Sequence, residues 1–114
     1  MNTAVVAIGG NALIAPGKKL TFENQMERLK ETSRQLVDLI QMGYDIVLTH
    51  GNGPQVGNIL MQNELTRYEI PEMPLDALVA ESQGLIGYML QQSLTNELGR
   101  RGINKIAISV LTQS

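Results

Sequence analysis

Two short stretches rich in glycine and asparagine have the residue types that bind small anions. Residues 9–11 read Gly-Gly-Asn and directly follow an apolar run, and residues 51–53 read Gly-Asn-Gly after a second such run. Because glycine has no Cβ, a ligand oxygen can closely approach the backbone N–H groups of such a loop, and successive N–H groups form an anion-binding nest. Asparagine side chains add further donors. The pair predicts a site for a phosphate with a group attached, or for two charged reactants that meet.

Simpler interpretations of the same residues remain open. A glycine pair after a strand often forms only a tight turn, and Asn52-Gly53 is also typical of a type I′ hairpin turn. Pro54 and the helical pattern after it argue against a hairpin, because a hairpin needs a strand next. His50 alone is more often a hydrogen-bonded structural residue than an acid or base. The first loop matches neither G-x-x-x-x-G-K-[ST] nor G-x-G-x-x-G, so neither a P-loop nor a dinucleotide-binding fold is indicated.

The first half of the chain predicts a strand, a helix and a second strand. Residues 3–8 and 45–49 are short, apolar runs typical of buried parallel strands. Between them, apolar residues recur at alternating spacings of three and four, which indicates a helix that begins after Thr21 as N-cap and ends before Gly43. Since ligands bind at the carboxyl ends of strands in open α/β sheets, both glycine loops are expected at that edge.

The second half predicts two helices and a third strand. Residues 54–67 are expected to form a helix with Pro54 at the first helical position, and residues 76–98 form a longer apolar helical pattern. Gly84 and Gly87 lie inside that pattern and predict close packing against another helix. Residues 105–111 read as a third buried strand, so the element order predicts an α/β domain with a mainly parallel sheet.

Composition excludes several classes of function. The chain of 114 residues has a formal charge of −2, which makes nucleic acid a poor candidate for a partner. It has no cysteine and one histidine, so disulfides and thiolate metal sites are excluded. No apolar run approaches the ~20 residues of a membrane span, and no signal peptide is evident, so no membrane partner and a cytoplasmic location are expected. The sequence stops directly after an apolar run, which predicts a truncated domain.

Four segments resemble carbamate kinases, a family within the amino-acid kinase superfamily. They read AIGGNAL at 7–13, THGNGPQVG at 49–57, MPLDALVAESQGLIGY at 73–88 and VLTQ at 110–113, in the order and spacing of that family. The resemblance implies a three-layer αβα sandwich with a mainly parallel sheet. It implies ATP-dependent, reversible phosphoryl transfer from carbamoyl phosphate to ADP, giving carbamate and ATP, with Mg²⁺. It also implies a cytoplasmic homodimer that serves arginine breakdown.

The resemblance assigns roles to the two loops and to the chain as a whole. The transferred phosphoryl group is expected at Gly9, Gly10 and Asn11. The carbamate end of the substrate is expected at Gly51, Asn52 and Gly53. No catalytic side chain and no metal ligand is assigned. Residues 1–114 correspond to the N-terminal, phosphoryl-acceptor part of the domain, with the nucleotide-binding half absent, so the chain alone is expected to bind neither ATP, ADP nor Mg²⁺ tightly and to have no measurable turnover.

Two other functions compete with this interpretation. One is a kinase of the same superfamily with another substrate, against which the GNGPQ sequence of the second loop argues. The other is a non-catalytic remnant or dimerisation module that pairs through the helix at residues 76–98 with itself or with a longer homologue.

Overall fold

The computed structural model describes residues 2–113, and the predicted domain end at Ser114 lies outside them. The described elements follow one another along the chain as two strands and four helices: β1 (Asn2–Ile8), α1 (Gly10–Leu13), α2 (Phe22–Gln41), β2 (Tyr44–His50), α3 (Gly53–Thr66) and α4 (Leu75–Arg100). The predicted α/β class with a parallel sheet is confirmed. No helix in residues 2–113 is long and apolar enough to cross a membrane.

The sheet consists of β1 and β2, which run parallel and are connected through α2. Their register runs from Asn2 opposite Tyr44 to Ile8 opposite His50. The residues that follow the two strands therefore leave the sheet side by side at one edge. This register brings both glycine loops to the same end of the sheet, as the sequence predicts.

Helix α2 forms where the sequence predicts it, for local reasons. The hydroxyl Oγ1 of Thr21 accepts a hydrogen bond from the N–H of Asn24 over 3.0 Å and so caps the first turn. After the helix, Gly43 adopts a φ of +101°, a conformation that side-chain-bearing residues rarely adopt. This turn redirects the chain into β2.

The core lies between the sheet and the pair α2 and α4. Val6, Ile8 and Leu48 of the sheet pack against buried leucine, isoleucine, valine and methionine side chains of these helices. Alternate side chains of a strand point to opposite faces, and on the other face Val5 is 71% exposed and Val47 is 51% exposed. Within residues 2–113 this second face of the sheet is therefore uncovered, because α2 and α4 pack on the same face.

The predicted third strand is also wrong. Residues 103–113 form no strand, and Ile106, Ile108 and Val110 are largely exposed. Glutamine side chains of α4 bond the backbone of this segment in place of a neighbouring strand. Gln91 donates to the carbonyl of Ala107 over 3.2 Å. A groove of about 740 Å³ lies between the segment and β2.

The two glycines inside α4 do not serve the predicted packing against another helix. A Cβ at Gly87 would lie 2.6 Å from Oγ of Ser109, so the absence of a side chain lets the extended segment at residues 105–112 cross the helix there. A Cβ at Gly84 would meet no atom within 4 Å. Neither glycine lies close to a second helix. Of the two, only Gly87 is required by packing, because a side chain there would collide with Ser109.

Candidate anion-binding site

The two glycine loops share one small cavity. It has a volume of about 140 Å³ and is lined by eight residues: Gly10, Leu13, Ile14, Gly51, Asn52, Gly53, Pro54 and Gln55. The shared wall follows from the sheet register, because the last paired residues of β1 and β2 immediately precede the loops. Of the six residues predicted for the site, four line the cavity. Gly9 and Asn11 are their sequence neighbours and do not line it.

The first loop turns directly into α1, a single helical turn that the sequence did not predict. Two side chains of α2 hold it: Nε of Arg28 donates to the carbonyl of Asn11, and Oγ1 of Thr32 donates to the carbonyl of Ala12 over 2.8 Å. The first N–H groups of a helix have no partner within the helix. Residues 10 and 11 therefore present their backbone donors at the end of β1, and Arg28 places a positive charge beside the loop.

The second loop leads into α3, whose N-terminal end has no side-chain cap. Asn52 occupies the N-cap position, but its side chain turns towards α4, where Nδ2 donates to Oγ of Ser82 over 2.8 Å. One of the two N–H groups of the Asn52 side chain is thus bonded within the protein, and only the other remains for a ligand. The unpaired N–H groups of the first turn, together with the helix dipole, still favour an anion at this end.

The side chains that line the cavity carry no charge. The eight lining residues include no acidic side chain, so no carboxylate there repels an anion. His50 lies just before the second loop, and its Nδ1 donates to the carbonyl of Gly51 over 3.0 Å, a structural hydrogen bond. The polar groups of the eight lining residues are therefore backbone and side-chain amide groups, which do not change charge with pH.

Metal ligands are not grouped in the part of the chain that the structure describes. In residues 2–113 no three histidine, aspartate or glutamate side chains lie close enough to hold a metal ion. The side chains of residues 2–113 therefore do not fit a Mg²⁺ site.

Sequence reasoning missed three residues that bear on the site. Arg28 and Ser82 act on the loops from α2 and α4, many residues away in the sequence. Gln55 lies in the THGNGPQVG motif at residues 49–57. Its place in the site became evident only from the structure, where it is buried in the cavity wall. A polar residue close to a glycine loop was the one available signal.

The fold and the loop pair define a class of protein. The sequence profile of the amino acid kinase family matches residues 2–112, and the chain belongs to this family. Among curated relatives, the carbamate kinase of Pyrococcus horikoshii is 47% identical over 112 residues, covering 96% of this chain and 36% of the relative. The carbamate kinase of Trichomonas vaginalis is 45% identical over 111 residues, covering 96% and 35%.

Solved structures agree with the relatives. The carbamate kinase of Giardia lamblia bound to AMP-PNP superposes with a TM-score of 0.89 at 38% identity, covering 91% of this chain and 36% of that one. The resemblance to carbamate kinases is confirmed. The chain spans about a third of the length of the relatives it matches.

Proposed function

We propose that the chain forms the phosphoryl- and carbamate-binding part of a carbamate kinase. The reaction is the reversible transfer of a phosphoryl group from carbamoyl phosphate to ADP, giving carbamate and ATP. The observation that supports this most directly is the common cavity of Gly10 and residues 51–53. Two sets of backbone donors that share one wall suit a small molecule with phosphoryl oxygens at one end and a carbonyl oxygen at the other.

The chain's own residues act by position and charge. Phosphoryl transfer requires little covalent chemistry from a protein, and its main needs are alignment and neutralisation of the transferred oxygens. Residues 9–11 bind the phosphoryl oxygens through backbone N–H groups, helped by the nearby charge of Arg28. Residues 51–53 and the N-terminus of α3 bind the carbamate end. No side chain of the site needs to donate or remove a proton.

Binding of the nucleotide, in this proposal, is carried out by residues outside 2–113. The Giardia relative binds AMP-PNP, and by that likeness ATP or ADP is the second substrate. Mg²⁺ as the metal rests only on the resemblance of the sequence motifs to carbamate kinases. A homodimer, a cytoplasmic location and a role in arginine breakdown are part of the same proposal and rest on the likeness to carbamate kinases.

A binding experiment on the isolated chain tests the proposal. Freshly prepared carbamoyl phosphate is added to ¹⁵N-labelled protein, and the backbone amide shifts of residues 10, 51 and 53 are followed by NMR. We expect these amides to shift in a saturable way. Gly10→Ala adds a methyl group at the cavity wall and should weaken binding, whereas Gly84→Ala, on the exposed side of α4, should bind as the wild type. Shifts spread over other parts of the chain, or none, would contradict the proposal.

An activity assay tests the incompleteness of the chain. In a coupled assay for ATP formation from carbamoyl phosphate and ADP, we expect no turnover from the 114 residues alone. Turnover that disappears in Asn52→Ala would overturn the assignment of the nucleotide half to missing chain.

A further inference from the structure

We propose that the groove between β2 and residues 105–112 binds a β-strand of a second polypeptide, the one that carries the nucleotide-binding part. The inference rests on the proposed function for the identity of that polypeptide, and it adds the surface through which the two parts assemble. Two backbone edges and an exposed apolar sequence pattern point to this occupant.

The two walls of the groove run in the same direction. Near the start of both, Nζ of Lys105 contacts Oδ1 of Asp45 over 2.9 Å. Near the end of both, Gln83 bonds the backbone of Thr112, and the preceding residue of α4 bonds Asn52, two residues after the end of β2. The walls are therefore arranged like two strands of one parallel sheet with a gap between them.

The gap is open to backbone pairing from both sides. In residues 2–113 no backbone hydrogen bond joins β2 to the opposite wall. Because β2 pairs with β1 along one edge, its other edge presents N–H and C=O groups to the groove. On the opposite wall, side-chain amides of Gln83 and Gln91 bond the backbone where a strand would. A strand inserted between two others spaces them about 10 Å apart, a distance that side chains such as Lys105 and Asp45 bridge.

The apolar residues at 105–111 are those of a strand in a sheet, although the segment forms no strand in residues 2–113. Ile106, Ile108 and Val110 are between 74% and 86% exposed, whereas Ala107 packs against the helices on the other side. β-branched residues at alternate positions are typical of a pleated, half-buried surface. A strand in the groove would continue the sheet from β2 to this segment and supply the missing backbone partners.

The likeness to longer proteins identifies the occupant. The alignment with the carbamate kinase of Pyrococcus horikoshii covers 36% of that relative, so most of it has no counterpart here. Leu36 of α2 and Leu94 and Leu98 of α4 line the base of the groove, which suits a strand with an apolar inner face. Because the groove extends along β2 to the edge where the glycine loops lie, a strand there would bring the nucleotide-binding part to the anion site.

Co-expression with a defined partner tests the proposal. The 114-residue chain is produced together with a tagged polypeptide, the remainder of the Pyrococcus horikoshii carbamate kinase beyond the 112 aligned residues. We expect the two to co-purify, and the amides of residues 45–49 and 106–110 to shift in NMR spectra and become protected from hydrogen exchange. The absence of co-purification, or shifts confined to other surfaces, would overturn the proposal.

A matched pair of variants tests whether the groove is the binding surface. Gln91→Arg places a charged side chain in the groove, where an inserted strand would bury it, and should weaken the complex at least about tenfold. Gln92→Arg adds the same charge at the adjacent, exposed position and should bind as the wild type. Equal binding by both variants would contradict the proposal. If Gln91→Arg does not fold, the amide pattern of the wild type decides.

An assay of ATP formation on the co-purified complex separates this proposal from the proposed function. Turnover of carbamoyl phosphate and ADP, together with shifted groove amides, supports both. A complex that forms through the groove and makes no ATP would leave the strand site standing and overturn the proposed function. Turnover in a complex with unchanged groove amides would leave the function standing and overturn the strand site.

Discussion

The side chain of Asn52 donates a hydrogen bond from Nδ2 to Oγ of Ser82 over 2.8 Å, which joins the second glycine loop to the middle of α4. Ser82 is completely buried, and its hydroxyl donates a hydrogen bond to the carbonyl of Val79 over 2.7 Å. The serine thus accepts and donates at once, with both interactions inside the protein. The loop that leads into α3 is held by a helix that begins more than twenty residues later.

Ser82→Ala should therefore destabilise the fold and loosen the loop. The change leaves Nδ2 of Asn52 without its acceptor, and we expect the free energy of unfolding to fall by about 1 kcal/mol. Urea denaturation measures this loss, and hydrogen exchange of the Gly51 and Gly53 amides should become faster.

Ser93 provides a matched control on the same helix. Its hydroxyl is buried but has no hydrogen-bond partner within residues 2–113, so Ser93→Ala should leave the stability unchanged or raise it slightly. An equal loss in both variants would show that the hydrogen bond to Asn52 contributes nothing specific.

The parts of the fold that the sequence predicts are those with a strong local signal. Helix α2 has a sustained three–four spacing and a threonine cap, and both are present as expected. The meeting of the two loops follows from the general geometry of parallel strands, since their carboxyl ends share an edge. The roles of residues 9–11 and 51–53 towards substrate stay predictions.

The parts that the sequence does not predict depend on distant partners or on too few residues. Four residues of α1 are too short to establish a helical period, and their position depends on Arg28 and Thr32 of another helix. Alternating apolar residues at 105–111 indicate an extended segment, but no local pattern says whether its backbone bonds a strand or the side chains of Gln83 and Gln91. The same holds for the engagement of Asn52 by a serine thirty positions away.

Glu97 predicts a specific dependence of stability on pH. Its carboxylate is 4% exposed and accepts hydrogen bonds from Arg100 over 2.6 Å and from Arg101 over 2.7 Å. The hydrogen bonds from these two guanidinium groups lower the pKa of Glu97 below its ordinary value of 4.5, and the bond from Arg100 has the larger effect. A lowered pKa in the folded state means that the stabilisation is fully present above pH 4.5 and is lost as the pH falls through the folded-state pKa.

Glu97→Gln should therefore reduce the unfolding temperature at neutral pH and flatten its decrease in acid. Thermal unfolding followed by circular dichroism from neutral pH down to about pH 3 measures both effects. The control is Glu31→Gln, which changes an exposed pair with Arg34 at 3.7 Å and should alter neither quantity appreciably. Parallel pH profiles for wild type and Glu97→Gln would contradict the assignment.

The two glycines of α4 should respond oppositely to alanine. Gly84 is exposed and a Cβ there meets no atom within 4 Å, so Gly84→Ala should raise the free energy of unfolding by about 1 kcal/mol through helix propensity. Gly87→Ala places its Cβ 2.6 Å from Oγ and 2.9 Å from Cβ of Ser109, so it should lose this gain and displace residues 105–112. Urea denaturation and amide shifts of that segment measure the two effects.

A compensating change separates packing from propensity. The double variant Gly87→Ala with Ser109→Gly removes both clashing atoms, and it should return the amide shifts of residues 105–112 towards their wild-type positions. If Gly87→Ala stabilises the chain as much as Gly84→Ala, then Ser109 does not press on the helix and the packing reason for this glycine is wrong.

The last segment of the described chain depends on one glutamine. Gln83 donates from Nε2 to the carbonyl of Thr112 over 3.0 Å and accepts from its N–H over 2.8 Å, so one side chain satisfies both backbone groups of that residue. Gln83→Ala should speed hydrogen exchange of the Thr112 amide several-fold and change the free energy of unfolding by less than about 1 kcal/mol, because an exposed end segment opens locally without global unfolding. Gln92→Ala on the exposed face of α4 is the control. Unchanged exchange at Thr112 in Gln83→Ala would mean that the segment is held by its other contacts, at Ala107 and Lys105, rather than by this pair of hydrogen bonds.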